Sequence, residues 1–181
     1  MKKTIAILLV LVLAGVGLFA ADKTLQLTTT VATLNEFKVT RTPIDAGDVN
    51  DFSKFTALLT RTTLGVDRTS TLDGAAYLTV ANNSTTAYSI GLKAGKLAAE
   101  GIKTEIGYTV TCGDAVGVEA LSTSSVAGST TFTEALSVTG DVNNGVNIAS
   151  KAISVAIVTN DFDSAGAGNY VGLIYFNITA V

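Results

Sequence analysis

The chain has 181 residues, 48% of them hydrophobic, with 15 acidic against 12 basic residues, one Cys, and no His or Trp. Without His there is no Ser-His-Asp or Cys-His catalysis and no histidine metal site, and one Cys excludes an internal disulfide framework. The acidic balance, with no basic run after Lys3, excludes a nucleic-acid binder, since phosphate neutralisation needs clustered Lys and Arg.

Met1-Lys2-Lys3 is a basic start, Ile5 to Val12 is apolar, and Ala14, Gly15 and Gly17 are small. This is the pattern of a secretory signal peptide, residues 1–20, with cleavage expected after Ala20. An uncleaved anchor is the alternative, but Thr4 to Ala21 barely reaches the ~20 residues of a spanning helix. No membrane span is expected once the signal is removed. About 160 residues then remain, enough for one domain with a real core.

Past the signal the chain is rich in Thr, Val, Ala, Gly and Ser, and branching at Cβ suits strands. Lys23 to Val31 alternates Leu25, Leu27, Thr29 and Val31 against Thr24, Gln26, Thr28 and Thr30. It reads as a strand within an N-terminal segment, residues 21–34, ahead of a domain over 35–181. Phe37 to Arg41 follows, with Phe37 and Val39 inward. Asp48 to Leu59 is the best helix candidate, capped by Asp48, with Val49, Phe52, Phe55 and Leu59 near one stripe. Leu58 to Leu64 is a weaker strand.

Ala76 to Val80 and Ala87 to Leu92 are the next strands. Ala81-Asn82-Asn83-Ser84 between them predicts a hairpin turn, because Asn tolerates positive φ. Lys96 to Glu100 predicts one helical turn. In Glu105 to Cys112 the residues Ile106, Tyr108, Val110 and Cys112 share a face. Cys112 therefore reads as a buried thiol, with an intermolecular disulfide as the alternative. A Ser/Thr/Gly linker, Ser122 to Thr131, leads into Phe132 to Val138. Asn144-Gly145 is a turn signal before Ala152 to Val158.

The last strand, Tyr170 to Thr179, follows a Gly-rich turn. Ile174, Phe176, Ile178 and Ala180 share one face, while Leu173 and Tyr175 add apolar surface to the other. Apolar residues on both faces predict a central, covered strand. About nine short strands with turn signals between them predict an all-β sandwich or barrel with little helix. Aromatic content of 7% without Trp argues against an outer-membrane barrel, which carries aromatic girdles.

Residues with chemistry are sparse. Asp161 and Asp163 before Gly166 partly follow a calcium loop, but Ala165 and Gly172 stand where an EF-hand needs ligands. A solvated hairpin turn is expected instead. Asp45, Asp48, Asn50 and Asp51 are explained by helix capping. Glu36, Glu100, Glu105, Glu119 and Glu134 are scattered, with no spacing that demands a shared glycosidase site. Asn82, Asn83 and Asn177 fit the glycosylation sequon, read as chance. No catalytic residue, metal or cofactor is expected, and the chain reads as a non-enzyme.

The two termini resemble the subunits of chaperone-assembled fimbriae, and most closely the major pilins of the colonisation-factor class. Lys23, Leu25, Leu27, Thr28 and Val31 match those chains' N-terminal run. Ala167, Gly168, Tyr170, Gly172, Leu173, Ile174, Phe176, Ile178 and Thr179 match their last strand. Asn82-Asn83-Ser84 leading into Tyr88-Ser89-Ile90-Gly91-Leu92 is a looser likeness. Thr33 and Leu34 depart from the family, which commonly has a Pro after its first run.

The resemblance implies an all-β, immunoglobulin-like antiparallel β-sandwich of about eight or nine strands that lacks its last strand and is completed by the N-terminal strand of the next identical subunit. Leu25, Leu27, Thr29 and Val31 would be the inserted side chains, received by the strand carrying Ile174, Phe176 and Ile178. It implies a periplasmic chaperone, a surface receptor and a location at the cell surface, secreted or periplasmic. The alternative is a self-complete exported adhesion domain, with Leu25 to Val31 paired within its own chain. Such a domain would bind through loops such as Gly113 to Gly128 and Asp141 to Gly145.

Overall fold

The computed structural model describes residues 33–69, 71–141 and 145–181. The expected signal peptide and the strand carrying Leu25, Leu27, Thr29 and Val31 lie outside the described residues. Among those described are eight strands: β1 (Asn35–Thr40), β2 (Thr71–Asn82), β3 (Tyr88–Ala94), β4 (Tyr108–Cys112), β5 (Ala115–Glu119), β6 (Thr133–Val138), β7 (Asn147–Ile157) and β8 (Ile174–Ala180). Three short helices join them: α1 (Phe52–Ala57), α2 (Thr123–Val126) and α3 (Thr159–Ser164). No helix among the described residues is long and apolar enough to cross a membrane.

The strands make an all-β sandwich of two antiparallel sheets, one ordered β1-β2-β7-β4-β5 and the other β6-β3-β8. The run β1-β2-β7-β4 reproduces the A-B-E-D order of an immunoglobulin constant-type domain, and β3-β8 reproduces C-F. β5 and β6 are additions between the D and E positions. No described strand takes the G position beside β8.

Alternation builds the core. Leu78 and Val80 of β2, Ile90 and Leu92 of β3, and Val110 of β4 are fully buried between the sheets. A second cluster forms on the far side of the larger sheet, where Phe55 of α1 packs with Ala81 and Ile148. Asp51 caps α1, accepting from Ser53 N at 2.9 Å. The cap is not Asp48, whose own N–H donates to Asp45 O in a preceding turn.

Several expectations give way to long-range structure. Asn82-Asn83-Ser84 is not a hairpin turn: β2 and β3 belong to different sheets, and the segment crosses between them. Asn82 fixes the crossing, donating to Thr86 O (3.0 Å) and Val138 O (2.8 Å) while accepting from Ser84 N (2.7 Å). Leu58 to Leu64 is no strand, since only Thr60 bridges to Thr40. Lys96 to Glu100 is extended rather than helical, with Leu97 bridged to Ile106 and Ala98 to Val171.

β5 lies inside what read as a loop. Its approach requires Gly113 at φ +58°, where a Cβ would sit 2.1 Å from Ala135 O. The hairpin turn expected at Asn160 to Gly166 is the helix α3, and the linker at Ser122 to Thr131 holds α2. Finally, β8 is not central. Among the described residues it pairs with β3 alone and ends its sheet.

Candidate functional site: the open edge of the last strand

β8 pairs with β3 from Tyr88↔Ala180 to Ala94↔Ile174. That register sets Phe176 opposite Leu92 and Ile178 opposite Ile90. Ile174, Phe176 and Ile178 therefore pack against the inter-sheet core, though each is only partly buried. Phe176 meets Phe37 of β1 across the gap, with ring centroids 6.5 Å apart at 57°. The three residues expected to line the terminal strand are thus brought together on one inward face.

Beside them lies a cavity of about 550 Å³. Its walls include Val39, Val155, Ile157, Leu97, Tyr108 and Phe176, with Leu64 and Val66 entering from the segment before β2. Val171 and Leu173 stand at the rim, 61% and 56% exposed. The one charged wall residue, Arg61, is turned to backbone carbonyls, donating to Thr63 O (3.2 Å) and Ala75 O (2.7 Å). The Tyr108 phenol donates to Leu173 O at 3.4 Å, and burial pushes its pKa up to about 12. The cavity thus offers hydrocarbon and neutral polar groups, and it suits an uncharged apolar segment.

The four sheet edges differ in protection. Charged residues guard exposed edges against pairing with other chains. β1 carries Glu36 and Lys38, β5 carries Glu119 and β6 carries Glu134. β8 reads I-Y-F-N-I-T-A, with no charge and no Pro. Its outer edge has no strand partner among the described residues.

The motif before β8 has a structural explanation. Tyr170 Oη donates back to Gly166 O at 3.0 Å, in the manner of the tyrosine corner that ties the E–F connection of immunoglobulin-like domains. Gly172 is needed for close approach: a Cβ there would lie 2.9 Å from Gly95 O. At Gly168 a Cβ would lie 2.6 Å from Ile102 Cδ1. These glycines shape the turn that delivers β8 and its rim.

Other candidate groups are engaged by the protein itself. Asp161 accepts from Gly107 N at 2.9 Å, and Asp163 is paired with Arg68, which holds its carboxyl below the usual range. Glu105 accepts from the backbone and hydroxyl of Thr123, bonds that hold its carboxyl low. No group of three His, Cys, Asp or Glu that could hold a metal occurs among the described residues. Cys112 is buried, and its thiol is pushed up to about 11 by that burial. Of the binding loops considered, Gly113 to Gly128 is mostly β5 and α2, and residues 142–144 of the other lie outside the described residues.

Sequence alternation had already turned Phe37 and Val39 inward. It also put Tyr108 on the buried face of its strand, but gave no signal for Leu64, Val66 or Leu97 at this cavity, because their meeting depends on crossings between distant segments. Compared with family models, with curated proteins and with solved structures, the chain matches none.

Proposed function

We propose that this chain is a structural subunit of a surface fibre of the fimbrial kind, assembled by donation of its N-terminal strand to the β8 edge of the next copy. The carrying observation is the uncharged edge of β8, without a strand partner among the described residues, above an apolar cavity at the G position that the described strands leave open. An edge of that kind is a template for strand addition, where main-chain hydrogen bonds give affinity and alternate side chains enter pockets.

The donor has the right length and chemistry. Leu25 to Val31 spans as many positions as the 7 residues of β8. Its inward set is Leu25, Leu27, Thr29 and Val31. Each fully buried Leu or Val contributes about 1.5 to 3 kcal/mol, so three such contacts make a lasting joint. Donor and acceptor are different surfaces of one chain, so the contact does not close and propagates as a fibre. Before assembly, the same apolar edge calls for a protecting chaperone.

The test is a gel of the native exported protein, with and without boiling in SDS. A ladder of multimers that collapses to one band on heating is expected, since buried strand pairing resists detergent kinetically. Deleting Lys23 to Val31 should abolish the ladder. A single monomer band in both lanes would contradict the proposal.

A further inference from the structure

We infer that Arg61 to Thr69 forms a removable plug, holding the acceptor cavity with the chain's own side chains until a donated strand displaces them. The inference rests on the strand-donation reading above and adds its regulation. The segment begins against the free edge of β1, where Arg41 N donates to Leu59 O (3.0 Å) and Arg61 N to Val39 O (2.8 Å). It then leaves that edge. Leu64 and Val66 pack on the main core and line the cavity. Leu64-Gly65-Val66 repeats the apolar-x-apolar spacing of Leu25-Gln26-Leu27. An imitation of the donor thus covers one side of the cavity.

The plug is suited to removal. Thr62 to Val66 belong to no strand, so leaving breaks no ladder. Leu64 and Val66 are only half-buried. Besides the Arg61 N bond to Val39 O, its fastenings include Arg61 Nη1 on Ala75 O at 2.7 Å and Arg68 on Asp163 of α3. The Arg68–Asp163 latch is two-pronged, Nε to Oδ1 at 2.5 Å and Nη2 to Oδ2 at 2.8 Å, and its side chains are 54% and 46% exposed. An incoming strand offers four inward side chains plus sheet pairing along its length, against the plug's two apolar side chains and its few polar fastenings. The donor therefore wins at equilibrium, and the latch sets how often the cavity opens.

The experiment follows assembly of the mature chain by appearance of heat-sensitive, SDS-resistant multimers. R68A is expected to assemble about two- to fivefold faster, the range for an exposed ion pair. D163N removes the same pair from the α3 side and should do likewise, which guards against a folding defect peculiar to one variant. The charge-reversed pair R68D/D163R should return to the parent rate. About 1 M salt, where the screening length is about 3 Å, should speed the parent but not R68A. Hydrogen exchange at the Arg61 amide, which is bonded to Val39 O in the monomer, should rise in fibres. Equal assembly rates with unchanged exchange would overturn the plug while leaving strand donation intact. Absence of multimers from every chain would overturn strand donation, and the plug with it.

Discussion

Replacing Asn82 by Ala tests the crossing between the sheets. Asn82 is completely buried and bonds three backbone groups. The bond to Val138 O is buried, and its loss costs about 1 to 1.5 kcal/mol. Thr86 O and Ser84 N lie nearer solvent, and losing those bonds adds about 0.5 to 1 kcal/mol each. The expected sum is about 3 kcal/mol. At roughly 2 to 4 °C per kcal/mol for a domain of this size, the melting temperature falls by about 6 to 12 °C. Urea unfolding should show a lower midpoint with an unchanged slope. Asn82→Asp keeps the acceptor but loses both donations and buries a charge, so it should cost at least as much. A change under about 1 kcal/mol in Asn82→Ala would refute the reasoning.

Three further outcomes follow from the packing. Gly172→Ala forces a Cβ to within 2.9 Å of Gly95 O, and should destabilise by about 1 to 3 kcal/mol in urea unfolding. Phe176→Ala removes the ring that meets Phe37; because the site is half-buried, the loss should be about 2 kcal/mol, below the full-burial range. Burial raises the Cys112 thiol from 9.0 to about 11 and the Tyr108 phenol from 10.0 to about 12. The stability these neutral groups contribute is whole below the unfolded values and is lost as pH rises through the folded ones. Melting temperature should thus hold to about pH 9 and fall steadily beyond it, and a thiol reagent should label Cys112 only after unfolding.

Strands with strong alternation were legible in the sequence. The β4 face of Tyr108, Val110 and Cys112 is buried as alternation demands, and Ile174, Phe176 and Ile178 pack inward together. What failed was partner choice. Asn82 looks like a turn residue locally, but its defining bond reaches Val138, 56 positions away. β5 was obscured because Gly113 and Gly117, both at positive φ, imitate a loop. α3 has few apolar residues to reveal a helical period, and its place follows from Asp161 binding Gly107 and Asp163 binding Arg68. The cavity's walls from β1, β4, β7 and β8 follow strand alternation and could be read from the chain, whereas Val66 and Leu97 reach the cavity through crossings that alternation does not show.

The most direct test of strand donation asks whether the N-terminal strand meets β8 of its own chain or of another. One chain would carry Leu27→Cys and a second, mass-labelled chain Phe176→Cys, both in a Cys112→Ala background. Leu25 and Val31 would be substituted in parallel to allow for register. After mixing, assembly and oxidation, strand donation predicts a disulfide joining the two chains. A chain carrying both substitutions should then link to its neighbours and form a ladder. Cross-linking confined within the doubly substituted chain, with none between the mixed chains at any of these positions, would contradict it.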